Sequence, residues 1–332
     1  MNDVAFKRIK YLEKKFSGKN IIVVGDMMLD CYFRGDVKRI SPEAPVPVIE
    51  IENEFFRFGG AANVALNISK LGGNALPVGV IGNDNDGKIF KNLIKQSGIS
   101  DDGIFPDPNR PTTTKTRVIA QGQHVVRIDK ETKVNINDKI EAKILRFISS
   151  KISWTDGIIL EDYNKGVLTA GLIKAIIALA KKNSIMITVD PKFNNFYEYK
   201  NVRVFKPNRK EAEDVLGMKI SSDKEIGFAG KEIQKKLGAD YVLLTLGEGG
   251  IAIFGKNKPE RRLPTKARVV ADVSGAGDTV ISTLTMALAA GADIYEACYL
   301  ANFAGGLVCE EVGIVPIEHK KLFGAVYGEV KK

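Results

Sequence analysis

Histidine is nearly missing from this chain: His124 and His319 are the only two, and they lie far apart. That argues against chemistry built on imidazole ligands or an imidazole base. Cysteine is scarce too. Cys31, Cys298 and Cys309 are odd in number and scattered, which argues against a disulfide framework or a zinc site and points to a reducing cytoplasm. No stretch is long and apolar enough to span a bilayer, so no membrane role is expected. The N-terminal MNDVAFKRIKYLEKKF is charged throughout and lacks the apolar core of a secretion signal. No dense Lys/Arg tract interleaved with aromatics occurs, so nucleic acid is not the expected partner despite a net charge of +9. That charge serves solubility or an anionic ligand.

Two phosphate-binding patterns are also absent. The Gly-Lys pairs at Gly18, Gly87, Gly230 and Gly255 are never followed by Ser or Thr with the required upstream glycine, which excludes a GxxxxGK[ST] loop. GEGGIA (247–252) has the letters of a dinucleotide fingerprint and follows a strand-like run. IAIF comes next, however, and reads as a strand where a helix is required.

What is present is the composition of a globular chain: 332 residues, 44% hydrophobic and 27% charged. The length fits one α/β domain with an excursion. Phe6, Ile9, Leu12 and Phe16 predict an amphipathic helix over residues 3–17, followed by a buried strand, IIVVGD (21–26). CYFRGDVKRI, PVPVIEI and TTTKTRVIAQGQHVVRIDKE are β-rich, polar and broken by Gly and Pro. They predict a small sheet standing off the main body, with strands from about 31–52 and 112–130. Between them GGAANVALNISKLGG reads as a helix with glycines at both ends. Helices over 138–150, 168–183 and 224–237 alternate with the strands GIILED, IMITVD, VRVFKPN and YVLLTLG, the pattern of a mostly parallel sheet covered by helices. IAIFG (251–255) reads as a hairpin return, and the last third is helical around 277–290 and 293–311. One domain, 1–332, with a lid fits better than two equal domains.

The stretch DVSGAGDT (272–279) carries the chemistry. Val280, Ile281, Leu284, Ala287 and Leu288 form a helix stripe, Ser274 is the expected N-cap, and Gly291 suits the end. The helix would begin in the run Gly275, Ala276, Gly277, where backbone N–H groups lack internal partners and small residues admit a phosphate. Asp278 falls in the first turn. A carboxylate there stabilises a helix by roughly 0.3–1 kcal/mol, but beside an anion cradle it also repels the ligand unless it has a task. Proton abstraction from an attacking hydroxyl is such a task.

DVSGAGD resembles the C-terminal signature of the ribokinase-like (PfkB) sugar kinases, and GGAANVALNISKLGG resembles their N-terminal di-glycine signature. The resemblance runs in order over nearly the whole chain. GDMMLDCYFRGDVKRISPEAPVPVIEI, FGGAANVALN, EDYNKG (161–166) and VDPK (189–192) are similar to the kinase domain of the bacterial ADP-heptose pathway. The resemblance implies a ribokinase-like three-layer α/β/α sandwich with a β-sheet lid. It also implies phosphorylation of D-glycero-D-manno-heptose 7-phosphate at O1 by ATP with Mg²⁺, in a homodimer closed through its lid sheets. In many relatives the kinase is fused to a nucleotidyltransferase domain. No second nucleotide-binding pattern occurs here, so a stand-alone kinase is expected. A kinase for another sugar or sugar phosphate, and a sugar-binding regulator of the same fold, stay open.

The resemblance implies roles residue by residue. Asp278 is similar to the catalytic base, and the amides of Gly275, Ala276 and Gly277 to the anion hole. Asp26, Gly59, Gly60 and Asn63 match sugar-holding positions, where many members carry Pro or Ala at the position of Phe58. Asn208 and Glu211 match the pair tied to the Mg²⁺–phosphate network, Glu211 through water. Thr245, Gly247 and Gly250 fall near the nucleotide phosphates, and Asn302 and residues 308–313 on the adenine side. Asp272 is the candidate for a monovalent cation such as K⁺. Several assignments have plainer readings. Asn208-x-x-Glu211 is also a capping box. Asn63 and Asn67, four apart on an apolar helix, bond either a sugar hydroxyl or a neighbouring backbone. Asp26 is a strand-end turn former or a hydroxyl ligand, and Asp30 lies four residues on. Asp162 and Lys165, then Asp190 and Lys192, occupy the same edge of two further strands. Lys165 and Lys192 are the first choices for the 7-phosphate, followed by Lys115, Arg117 and Arg127.

Overall fold

The computed structural model describes residues 3–266, 271–311 and 313–330. Helix α1 (Asp3–Phe16) precedes strand β1 (Asn20–Gly25). β2 (Met27–Ile40) and β3 (Pro47–Gly60) form a long hairpin, followed by α2 (Ala61–Lys70), β4 (Asn74–Gly82), α3 (Asn85–Gln96) and β5 (Ile104–Asp107). A second hairpin, β6 (Thr113–Ala120) and β7 (Gln123–Lys130), leads to α4 (Asp138–Lys151), β8 (Gly157–Glu161), α5 (Ala170–Lys182), β9 (Met186–Asp190) and β10 (Val204–Phe205). Then come α6 (Arg209–Leu216), α7 (Asp223–Leu237), β11 (Tyr241–Thr245), β12 (Ile251–Gly255), β13 (Arg261–Leu263), α8 (Ala276–Ala289), α9 (Ile294–Cys309) and α10 (His319–Val330).

Among the described residues the main sheet has nine strands in the order β13-β12-β11-β10-β9-β8-β1-β4-β5. From β11 to β5 the strands are parallel; β12 and β13 return antiparallel, as the short IAIFG run predicts. Both faces are buried, and the period-2 geometry of a strand divides them. Ile21 and Val23 face α1, α2, α3, α8, α9 and α10, whereas Ile22 and Val24 face α4, α5, α6 and α7. Three layers result. The expected helices fall within two residues of those observed, because their ends carry chemical punctuation. Asn137, Thr169, Ser222 and Asp293 each accept a backbone N–H of the first turn, each such cap adding about 1 kcal/mol.

The second sheet, β3-β2-β6-β7, stands apart. It extends beyond residues 31–52 at both ends, because β2 leaves the main body directly after Asp26 and β3 runs back to Gly60. Met27 pairs with Gly60 and Met28 with Gly59. The base of this hairpin therefore opens onto the C-terminal edge of β1. In the main sheet Gly25 is level with Glu161, and Glu161 with Asp190. Three strand ends thus meet at one crevice, where open parallel sheets present their ligand-binding residues.

Candidate active site

The start of α8 forms one wall of the crevice. Gly275, not Ser274, is its N-cap: φ is +78°, the left-handed region that glycine enters freely, and Ser274 lies in the preceding turn with its N–H donated to Asp272 Oδ1 at 2.9 Å. The expected cradle is therefore narrower by one donor. Ala276 N–H is used within the turn, at 3.2 Å from the Val273 carbonyl, while no protein acceptor meets the amides of Gly275 and Gly277 among the described residues. Asp278 follows, 3% exposed. Its Oδ2 accepts from Asn63 Nδ2 at 2.7 Å and its Oδ1 from the Tyr163 hydroxyl at 2.9 Å. Burial, reinforced by the charge of Asp190, pushes this carboxyl up to about 6, against the pull of the two donors and of Lys206. A carboxylate that is buried, fixed on both oxygens and near neutrality in its titration is built to take a proton.

Behind Asp278 lies a charged layer of which sequence reasoning named Asp190, Lys192 and Glu211 but missed Glu161 and Lys206. Glu161, Asp190 and Asp278 bring carboxylate oxygens within 4.8 Å of one another. Lys206 Nζ, itself buried, pairs with Asp190 at 2.7 Å, and Lys192 pairs with Glu211. Burial alone would lower the Lys206 ammonium, but Asp190 and then Glu211 outweigh it and hold it above its ordinary value. Both oxygens of Glu161 are buried without a hydrogen-bond partner, and burial, with Asp190 and Asp278 adding to it, raises its carboxyl well above the ordinary range. EDYNKG and VRVFKPN contain Glu161, Tyr163 and Lys206, but only the fold reveals that they face one another.

On the acceptor side the structure sorts the expected residues. Asn63 is in the site, and its Oδ1 is a buried acceptor left unpartnered among the described residues. Asn67 is not. Its side chain donates to the Asn63 carbonyl (2.9 Å) and accepts from Thr279 (3.2 Å) and from Ile317 N–H (3.0 Å), so it ties α2 to α8 and to the chain beyond α9. Asp162 likewise serves the fold, accepting from the Tyr199 hydroxyl at 2.7 Å and Asn164 N–H at 2.8 Å. Asp26 lies at the crevice, but its carboxylate collects the amides of Tyr163 (2.8 Å), Lys165 (3.1 Å) and Val167 (3.2 Å) and so shapes the segment after β8. Burial, with Asp162 adding to it, still pushes it up to about 6. Asp30 pairs with Arg117, and Gly59 leaves room for that carboxylate, since a Cβ there would collide with Asp30 Oδ2. Gly60, at φ +55°, turns β3 into α2. Arg127 is exposed and paired with Asp129 at 2.8 Å, and Lys165 pairs with Glu131 at 2.6 Å.

A cavity of about 870 Å³ opens on the other side of Asp278. Thr245, Gly247, Gly250 and Asn302 line it with the α8 glycines, as does Asn208. Gly305 and Gly306 of α9 also line it. Asn208 and Glu211 form the full capping box of α6, both bonds at 2.8 Å. The second Glu211 oxygen meets Lys192, so capping and a charged role coexist. Asn302 donates to the Pro264 carbonyl at 2.6 Å. Asp272 is held below the ordinary carboxylate range: burial pushes it up, but the amides of Ser274 and Gly313 (2.9 Å each) outweigh that. Val312, in the expected adenine-side segment, lies outside the described residues. Arg57, on the small sheet, donates to the Ile314 carbonyl at 2.5 Å and so reaches across to the segment that backs the α8 loop.

Comparison with known proteins agrees with this fold. The model of the pfkB family carbohydrate kinases matches residues 19–320. The chain is similar to the Bifunctional protein HldE of Pelobacter propionicus, 38% identical over 320 residues, covering 96% of this chain and 66% of that protein. It is also similar to that of Helicobacter pylori, 43% identical over 295 residues, covering 89% and 64%. It thus spans about two thirds of the length of these relatives. Among solved structures, Arabidopsis thaliana ribokinase complexed with ribose and ATP superposes with a TM-score of 0.73 at 21% identity, covering 92% of this chain and 98% of that one. Escherichia coli phosphofructokinase-2 in complex with potassium gives 0.76 at 19%, covering 95% and 100%. A ribokinase-like fold, with a buried acid and bare amides meeting at the start of one helix, is thereby joined to a family match across most of the sequence: the chain belongs to the pfkB family of carbohydrate kinases.

Proposed function

We propose that this kinase transfers the γ-phosphoryl group of ATP to O1 of D-glycero-D-manno-heptose 7-phosphate, giving heptose 1,7-bisphosphate and ADP. The observation that carries the chemistry is Asp278, buried and doubly hydrogen-bonded next to unpartnered amides at the mouth of the cavity. The stretches similar to ADP-heptose pathway kinases, and the relatives near 40% identity, support the acceptor. Asp278 takes the O1 proton, the O1–Pγ bond forms, and the bond from Pγ to the bridging oxygen of ADP breaks. The amides of Gly275 and Gly277 offset charge gathering on the phosphoryl oxygens. The Glu211 carboxylate, an oxygen donor already paired with Lys192, suits a hydrated hard cation reached through water. Glu211 would in this way hold Mg²⁺, which when bound neutralises charge along the triphosphate. Asp272 keeps lone pairs free beyond its two amide bonds and would contact K⁺. Lys115, without an ion-pair partner among the described residues, and Lys192, paired with Glu211, both lie beside Tyr163 and are the cations assigned to the 7-phosphate. We also place the kinase in the cytoplasm, consistent with its three free thiols, as a homodimer.

The decisive experiment is a panel of acceptors with and without a terminal phosphate, read by ADP release, with phosphorus NMR of the product. Heptose 7-phosphate should give the highest kcat/KM and a new phosphate on the anomeric carbon. A plain sugar turned over faster would overturn the acceptor and leave the kinase intact. Asp278→Asn should keep ATP binding and lose turnover by about 10²–10⁴-fold, the span of a general base; near-normal kcat would remove the assigned base.

A further inference from the structure

Tyr163 touches both halves of the proposed acceptor site. Its hydroxyl donates to Asp278 Oδ1 at 2.9 Å. Its ring carries two ammonium groups from different parts of the chain: Lys115 Nζ, from β6, at 5.3 Å from the centroid, and Lys192 Nζ, from the segment after β9, at 5.1 Å. The backbone beneath it is locked. Tyr163 N–H is bonded to Asp26, Asn164 N–H to Asp162, and Asn164 and Gly166 hold left-handed conformations at φ +55° and +85°. The backbone fixes where the ring starts, and the hydroxyl bond to Asp278 fixes its outer end. Lys115 forms no ion pair among the described residues, and burial lowers its ammonium. A half-buried cation in that state is a receptor for an anion. One aromatic ring therefore stands between a base for a hydroxyl and two lysines for an anionic group, Lys115 without an ion-pair partner among the described residues and Lys192 shared with Glu211.

Resting on the proposed acceptor, we infer that Tyr163 is a positioning and specificity-determining residue. Its hydroxyl fixes Asp278 for proton transfer. Its ring sets the separation between the acceptor hydroxyl and the lysines that receive the acceptor's remote phosphate. A sugar phosphate of the right length then presents its hydroxyl to the base, and a plain sugar lacks the second anchor.

Steady-state kinetics of Tyr163→Phe and Tyr163→Leu, with heptose 7-phosphate and with unphosphorylated heptose at saturating ATP, test both roles. Tyr163→Phe keeps the wall and loses the hydroxyl. It should lower kcat for both acceptors by about 10–100-fold, the scale of a misplaced catalytic group, with KM within about twofold. Tyr163→Leu should show the same loss of kcat and in addition raise KM for the sugar phosphate about tenfold or more, with no such rise for the plain sugar; tenfold corresponds to 1.4 kcal/mol. Kcat within twofold of wild type in Tyr163→Phe would overturn the positioning role. An equal change in KM for the two acceptors in Tyr163→Leu would overturn the specificity role. Should wild type prefer a plain sugar, the acceptor reading and the specificity role fall together, while the kcat result of Tyr163→Phe still decides the positioning role.

Discussion

As the proposed base, Asp278 should set the pH response of the enzyme. Its carboxyl is pushed up to about 6 chiefly by burial and secondarily by the charge of Asp190, while Asn63, Tyr163 and Lys206 restrain the rise. A base must be deprotonated before it accepts a proton, so activity should be complete above that pH and lost as pH falls through it. kcat/KM, which reports the free enzyme, should drop about tenfold per pH unit on the acid side, measured by ADP release from pH 4.5 to 8. Asn63→Leu removes one restraining donor and should move the acid limb to higher pH; an unmoved limb would assign the titration to another group. Asp278 and Asn63 stand out in the sequence because each breaks a local rule: an acid beside an anion cradle, an amide on an apolar helix face. Asn67 breaks the same rule, but its side chain is bonded within the fold, to Thr279 and Ile317 more than 200 positions away. Glu161 and Lys206 give no local signal, because a polar residue at a strand end is ordinary until its neighbours across the sheet are known.

Helix α8 shows how an element's first residue sets its chemistry. A side chain at Gly275 would have to adopt a left-handed backbone, costing roughly 1–2 kcal/mol, and its Cβ would stand 3.2 Å from Ile314 Cγ2 and 3.3 Å from Asn63 Nδ2. Both contacts are tighter than a methyl group ordinarily tolerates, and the second pushes on the donor that holds Asp278. Gly275→Ala should therefore lower kcat about tenfold or more while the fold persists by circular dichroism; unchanged kcat would show that the loop relaxes without disturbing the base. Reading Ser274 as the cap followed side-chain preference alone, whereas the backbone needed a positive φ one residue later. Elsewhere punctuation and period agree, which is why α4, α5 and α7 were legible. Residues 74–96 are harder, because Pro77 within the run argues against a central strand, and α3 offers only a thin stripe, with Phe90 and Ile94 buried.

At the scale of the whole molecule the small sheet is the unfinished part. β7 is an edge strand with every residue from Gln123 to Lys130 exposed, and Val125, Val126 and Ile128 are 43%, 47% and 56% exposed. Across the sheet Ile40 and Ile51 are 60% and 56% exposed. A long, uncovered edge with apolar side chains is a pairing hazard in a monomer unless a partner covers it. A second copy of this chain presents the same sheet, and isologous pairing would shield both at once. The net charge of +9 opposes self-association at long range, but that repulsion is screened within about 8 Å at physiological salt. The dimer should therefore persist, and tighten, as salt rises, the opposite of an interface held by ion pairs. Sedimentation velocity across a range of protein concentrations and salt should show a dimer for the wild type. Val126→Lys with Ile128→Lys should shift it to monomer and make its melting temperature independent of protein concentration. A wild type that stays monomeric at the highest concentrations would mean that this edge is left open and that the small sheet serves its own active site alone.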